Sequence, residues 1–193
     1  MVRIVLIRPG ATEYDRQGRI QGVLEVPLSE EGANEASRIA AELREMAMEV
    51  IYHSDCEHAL QTASAVAAAL GVKTKRLENM QNLDHGLWQG MLVEEVKRKQ
   101  PKVYRQWQDQ PASVCPPGGE MLGDAQKRAQ AVLAKLLKKH KEGVVGLVVP
   151  EPLASLVRAT LERSEVGDLW QAGTEHGTWE VIDVEPRSLA HSG

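Results

Sequence analysis

The chain contains no phenylalanine, only two cysteines and no long apolar run. Without Phe, the aromatic bulk of a core falls mainly to Trp88, Trp107, Trp170 and Trp179. Cys56 and Cys115 have no metal-ligand spacing and read as two unpaired thiols of a cytosolic protein. A helix that crosses a bilayer needs roughly 18 consecutive apolar residues, so no span and no membrane role is expected. The first residues enter a strand pattern at once, without the charged, apolar and cleavage regions of a signal peptide. The expected location is the cytoplasm. No long basic run is present and the net charge is −4, which argues against a nucleic-acid partner. Internal repeats and low-complexity tracts are absent as well.

What is present is an alternation of strands and helices over 193 residues. The length suits one domain, expected over 1–184, with a loose C-terminal tail over 185–193. Apolar runs rich in β-branched residues at Val2–Ile7, Val50–Tyr52 and Val144–Val149 read as buried strands. Lys73–Leu77 reads as an edge strand and Thr178–Val184 as a final strand. Ser29 is a suitable N-cap for a helix reaching about Met46, with Ala36, Ile39, Ala40 and Leu43 on one face. Further helices are expected over Cys56–Leu70, over Leu92–Trp107 with a break near Pro101, over Glu120–Lys141 and over Leu153–Glu162. Gly10–Pro27 carries three glycines and a proline and reads as a long loop. The pattern predicts an α/β fold: a three-layer α/β/α sandwich with a mostly parallel central sheet. Ligands of such sheets sit beyond the carboxyl ends of the strands. Those ends are Arg8-Pro9-Gly10, His53-Ser54-Asp55 and Pro150-Glu151-Pro152.

Several segments carry a resemblance. These are VRIVLIRPGATEYDRQGRIQGVLEVPLSEEG at the start, IYHSDCEHALQTA from Ile51, MQNLDHGLWQG from Met80, PPGGE from Pro116 and VVGLVVPEPLASLVRATL from Val144. Together they resemble the histidine phosphatase superfamily, which includes the cofactor-dependent phosphoglycerate mutases. Gly10, Thr12, Gly18, Arg19, Gln21, Gly22, Pro27, Leu28 and Gly32 fall where the family's first motif has them. The resemblance implies a phosphoglycerate mutase-like fold; no cofactor is expected.

At the reaction centre the resemblance fails. Pro9 stands at the nucleophilic histidine, Ala11 at the following Glu, and Asp15 at an Asn that helps hold phosphate. His58 stands at the second phosphate-binding Arg, Asn82 at the acidic proton donor and Glu151 at the second active-site histidine. Of the central residues only Arg8 remains. Proline has no side-chain nucleophile and no titratable group. Losing a nucleophile that acts as part of a unit costs about 10⁶ in rate. A phosphate dianion beside an added carboxylate meets roughly 4 kcal/mol of repulsion per charge pair at about 4 Å and an effective dielectric of ~20. His58, if unperturbed, titrates near pH ~6.5. Ser54 and Cys56 are the nearby substitute nucleophiles, and neither has an evident activating base.

The reading that follows is a catalytically inactive homologue, a pseudoenzyme acting as a binding, regulatory or scaffolding module for a small anionic ligand or a protein partner. Its expected ligand-binding residues are Arg8, Arg19, Gln21, His58 and Glu151. Arg8 either stays an anion ligand or pairs with Glu151 or Asp15, the ion pair being favoured. The alternative is an enzyme with remodelled chemistry, with Glu151 as general base, His58 as acid or ligand and Arg8 as clamp for a small anionic substrate. His53, His58, His85 and Glu151 show no metal motif, so no metal site is expected. His85 takes a place often aromatic in the family and reads as packing. Pro150-Glu151-Pro152 reads as a helix entry, and Trp107 and Trp170 as core or lid packing. The sequence leaves the oligomeric state open.

Overall fold

A computed structural model of the chain describes residues 1–185. Of the expected C-terminal tail, residues 186–193 lie outside the described residues. Five strands form one sheet: β1 (Val2–Ile7), β2 (Met48–His53), β3 (Lys73–Arg76), β4 (Gly143–Val148) and β5 (Trp179–Val184). Their order is β3-β2-β4-β1-β5. The first four are parallel and β5 runs antiparallel to β1. Helices cover both faces, so the expected α/β sandwich with its mostly parallel sheet is found.

The helices are α1 (Glu13–Gln17), α2 (Glu30–Glu42), α3 (Glu57–Leu70), α4 (Val93–Lys99), α5 (Pro101–Asp109), α6 (Leu122–Lys139), α7 (Leu153–Glu162) and α8 (Leu169–Ala172). Ser29 caps α2 by accepting from the Gly32 amide at 3.1 Å. Gly71, with φ +69°, closes α3 in the left-handed conformation that glycine adopts without strain. Pro101 separates α4 from α5 and opens α5, where a missing N–H costs nothing.

Two short helices differ from the sequence expectation. The segment read as a long loop contains α1, because Thr12 and Asp15 form a reciprocal capping box. Asp168 likewise starts α8 by accepting from the amides of Trp170 and Gln171. Helices of four or five residues leave too little periodicity to be seen in a sequence.

Alternation along β1 sorts the core. Val2, Ile4 and Leu6 join the cluster with Leu133 and Leu137 of α6 and Leu156 and Val157 of α7. Val5 and Ile7 join Ile39 of α2 and Ala59, Ala63 and Val66 of α3 on the other face. All five β1 residues are fully buried, and each such aliphatic side chain contributes about 1.5–3 kcal/mol. This double burial anchors the strand whose end carries Arg8.

Candidate active site

Arg8 leaves the end of β1 into a crowded acidic setting. Its Nε donates to Glu151 Oε1 at 2.7 Å. It also ion-pairs with Glu175 at 3.3 Å and, through Nη1, with Glu180 at 2.8 Å. Glu151 is held in turn by the Ser155 amide at 3.2 Å and hydroxyl at 2.9 Å. Burial raises the Glu151 carboxyl above its usual range, against the pull of Arg8 and Ser155. One guanidinium therefore faces three carboxylates. This is the ion-paired alternative of the sequence analysis, with Glu151 as the partner. The remodelled chemistry that makes Glu151 a free base and Arg8 a free clamp is corrected here, because each is already engaged by the other. Asp15 does not reach Arg8; it accepts from the Thr12 amide at 2.7 Å and hydroxyl at 3.1 Å.

His58 is buried on α3. Gln21 Nε2 donates to the Leu24 carbonyl at 3.3 Å and lies 3.3 Å from His58 Nδ1. That assigns Nδ1 as an acceptor and puts the ring proton on Nε2. Desolvation pushes the imidazole down to about 4, so His58 is a neutral group and does not titrate near pH ~6.5 as an unperturbed histidine would. Asn82 is a structural pin. Its Nδ2 donates to the Gly22 and Glu151 carbonyls at 3.3 and 3.0 Å, and its Oδ1 accepts from the Leu83 and Leu153 amides at 2.9 and 3.4 Å. Arg19 is anchored through Nε to Gln17 at 2.8 Å and Nη1 to the Gly90 carbonyl at 2.7 Å. His85 packs between Trp88 and Trp107, at ring-centroid distances of 6.5 and 5.6 Å. Arg128 of α6 locks this region by donating to Glu120 and to the carbonyls of Asn79, Gln81 and Asn82.

A cavity of about 450 Å³ opens over these strand ends. Pro9, Asp15, Arg19, His58 and Glu151 line its floor and sides. Tyr104, Trp107 and Trp170 form an aromatic wall, with Glu94, Asp168 and Glu175 adding acidic groups. Trp107 is buried and Trp170 nearly so, so both are wall packing. Of the substitute nucleophiles, Ser54 is fully buried with an unpartnered hydroxyl. The Cys56 thiol is pushed up to about 12 by burial. Neither is activated.

Among the lining residues that the sequence did not point to, one carries an imidazole. His176 lies in the cavity wall, with Nδ1 at 2.8 and 3.0 Å from the two carboxylate oxygens of Glu35. Glu35 Oε2 also accepts from the Ala11 amide at 2.8 Å. Backbone bonds carry the β1–β5 pairing onward, Arg8 N to Thr178 O at 2.8 Å and Gly177 N to Pro9 O at 2.7 Å. The segment just before β5 thus brings an imidazole to the end of β1 where Pro9 stands. No local sequence pattern marks His176, because its partner Glu35 is 141 residues away.

The family model of the histidine phosphatase superfamily (branch 1) matches residues 4–191. The chain is 33% identical to phosphoserine phosphatase 1 of Hydrogenobacter thermophilus over 97% of this chain and 89% of that protein. It is 30% identical to a metal-independent phosphoserine phosphatase of Arabidopsis thaliana over 89% of this chain and 74% of that one. A mycobacterial glucosyl-3-phosphoglycerate phosphatase solved with VO3 superposes with a TM-score of 0.82 at 26% identity, covering 95% of this chain and 98% of that one. These relatives are named as phosphatases along nearly the whole chain. They overturn the expectation of an inactive binding, regulatory or scaffolding module, and what they support is an enzymatic function. The chain belongs to the histidine phosphatase superfamily, branch 1.

Proposed function

We propose that the protein is a hydrolase that removes the phosphoryl group from a small phosphomonoester bearing a positive charge of its own, with phosphoserine as the first compound to test. The observation that carries the reading is the cavity, which sets an arginine held by neutral partners against an acidic and aromatic wall. Arg19 supplies the cation, and Glu94, Asp168, Tyr104 and Trp170 supply the wall. A phosphate at the Arg19 side and an ammonium at the acidic side match this charge layout. An ammonium over an indole or phenol face adds about 0.5–2 kcal/mol. The reaction class comes from the relatives, two of which are named phosphoserine phosphatases.

The route differs from that of the superfamily. With Pro9 and Glu151 at the places of the two active-site histidines, the reaction does not pass through a phosphohistidine at residue 9. Arg8 contributes less than in the family because three carboxylates share it. Glu175 is half exposed, so it can swing aside and free part of the guanidinium for a phosphate oxygen.

The test is release of inorganic phosphate from phosphoserine and from 3-phosphoglycerate by the purified full chain. Phosphoserine is expected to have the higher kcat/KM by at least about tenfold, the equivalent of ~1.4 kcal/mol. Release from neither ester, or a preference for 3-phosphoglycerate, overturns the reading.

A further inference from the structure

We infer that His176, oriented by Glu35, is the general base that activates water for phosphoryl transfer in this cavity, and that Asp15 is the proton donor to the leaving oxygen. The inference rests on the phosphomonoesterase reading above and deepens it. It assigns catalysis to a residue outside every motif that carries the family resemblance.

Three placements support it. First, His176 Nδ1 is committed to Glu35. His176 lines the cavity and Glu35 does not, and with Nδ1 bonded to Glu35 the ring nitrogen left for a cavity group is Nε2. A carboxylate acceptor keeps the proton on Nδ1, which leaves the Nε2 lone pair free to take a proton from water. Second, the dyad is fastened to the strand end on both sides. Glu35 Oε2 accepts from the Ala11 amide at 2.8 Å, and the amide next to His176, that of Gly177, donates to the Pro9 carbonyl at 2.7 Å. Third, Gly177 has φ +60°, and a Cβ there would stand 2.5 Å from Glu35 Cδ. A side chain at this position would push Glu35 off the imidazole. The local backbone is therefore one that only glycine can adopt while leaving room for the dyad.

Asp15 lines the same cavity. Its Oδ2 takes both Thr12 bonds, so Oδ1 is the oxygen left to carry a proton. Burial holds its carboxyl above the usual range, against the Thr12 bonds. The charges of His176 and Glu35 also bear on it. A carboxyl group and an imidazole lining one cavity can serve as the acid and the base that proton transfer in both directions requires. Among the described residues no group of three His, Cys, Asp or Glu side chains is placed to hold a metal ion, and this cluster is read as an acid–base site.

His176 Nε2 takes a proton from water as the water oxygen bonds phosphorus. The P–O bond to the leaving alcohol breaks, its electron pair goes to the leaving oxygen, and that oxygen takes the Asp15 proton. Inorganic phosphate and the alcohol depart. The His176 imidazolium then returns its proton to the Asp15 carboxylate through water, which restores the resting state.

The experiment compares wild type with His176→Ala, Glu35→Gln and Asp15→Asn on p-nitrophenyl phosphate and on phosphoserine. Each variant is first checked for wild-type thermal unfolding. His176 is partly exposed, so its removal is compatible with folding. His176→Ala is expected to lose about 10²–10⁴ in kcat, with added imidazole restoring part of the rate. Glu35→Gln, which keeps an acceptor for Nδ1 but no charge, is expected to fall between wild type and His176→Ala. Asp15→Asn is expected to damage phosphoserine turnover at least about tenfold more than p-nitrophenyl phosphate turnover, since the aryl oxide leaves without a proton. Wild-type kcat in His176→Ala, or an acid-labile phosphate trapped on His176, overturns the inference alone. Wild-type protein that releases phosphate from neither ester overturns both this inference and the reading on which it rests.

Discussion

Arg8 Nε meets Glu151 Oε1 at 2.7 Å, with the two side chains only 6% and 2% exposed. The pair joins the end of β1 to the entry of α7 across 143 residues of sequence. Removing one partner of a buried pair costs about 3–5 kcal/mol, whereas removing both is often near neutral. Arg8→Met is thus expected to lower Tm by roughly 6–20 °C, at about 2–4 °C per kcal/mol for a chain of this size. Arg8→Met combined with Glu151→Met is expected to regain most of that loss. A double-mutant cycle by denaturant unfolding reads the coupling. The pH sign follows from Glu151. Its folded-state carboxyl is already raised by burial, and without Arg8 it is raised further, so the folded variant binds a proton that the unfolded chain does not. The deficit of Arg8→Met is expected to shrink as pH falls through the raised folded-state carboxyl of Glu151 toward the ordinary carboxylate range. A deficit that grows on acidification contradicts the ion-pair account.

His58 and His85 bring opposite pH behaviour. Both are pushed down from 6.5 to about 4 by burial. Above pH ~6.5 they cost nothing, since both folded and unfolded chains keep them neutral. Below it the unfolded chain takes protons that the folded chain refuses, so stability falls toward about pH 4 by roughly 3 kcal/mol per histidine. His85 Nδ1 is buried without a partner. Its replacement in His85→Phe removes that unsatisfied nitrogen as well as one titration. The variant is expected to match or exceed wild type at neutral pH and to show a shallower loss on acidification, measured as Tm against pH. An unchanged slope would show that His85 is not the titrating group.

Gly177 connects stability to the site. Gly177→Ala places a Cβ against Glu35 in a left-handed backbone, and the conformation alone costs about 1–2 kcal/mol. It is expected to lower Tm by several degrees and to reduce phosphoserine turnover together. Gly167→Ala meets nothing within 4 Å and serves as the neutral control. Equal behaviour of the two variants in both assays would count against the packed dyad.

Arg128 makes a two-pronged bond to Glu120 at 2.7 and 2.9 Å and also caps three carbonyls. Lysine keeps the charge but lacks the planar fork. Arg128→Lys is therefore expected to cost about 1–3 kcal/mol. The loss should be concentrated in faster amide exchange over 79–90, the segment that holds Asn82 and His85. Exchange that rises uniformly over the whole chain would point to global destabilisation instead.

The legible part of the fold was the part written locally. The β-branched runs named β1, β2 and β4, and Ser29, Gly71 and Pro101 marked helix ends within a residue or two of where they fall. The short helices α1 and α8 were not visible, because a single capped turn carries no periodicity. In the site, Arg8 and Glu151 were legible as a pair since both lie at strand ends where ligands collect. His176 was not legible, because its partner Glu35 is 141 residues away and no spacing rule links them. His58 was seen, but its charge was not, since burial rather than identity set it.

By itself the sequence determined the superfamily framework, the order of the strands and longer helices, and the absence of an imidazole at position 9. These follow from residue identity and short-range pattern, which the chain carries whether folded or not. Only the tertiary structure decided which carboxylates neutralise Arg8, that His58 stays neutral, and that the segment before β5 brings the His176 imidazole to the Pro9 end of β1. Those outcomes depend on desolvation and on contacts between distant segments, and both arise only when the sheet assembles.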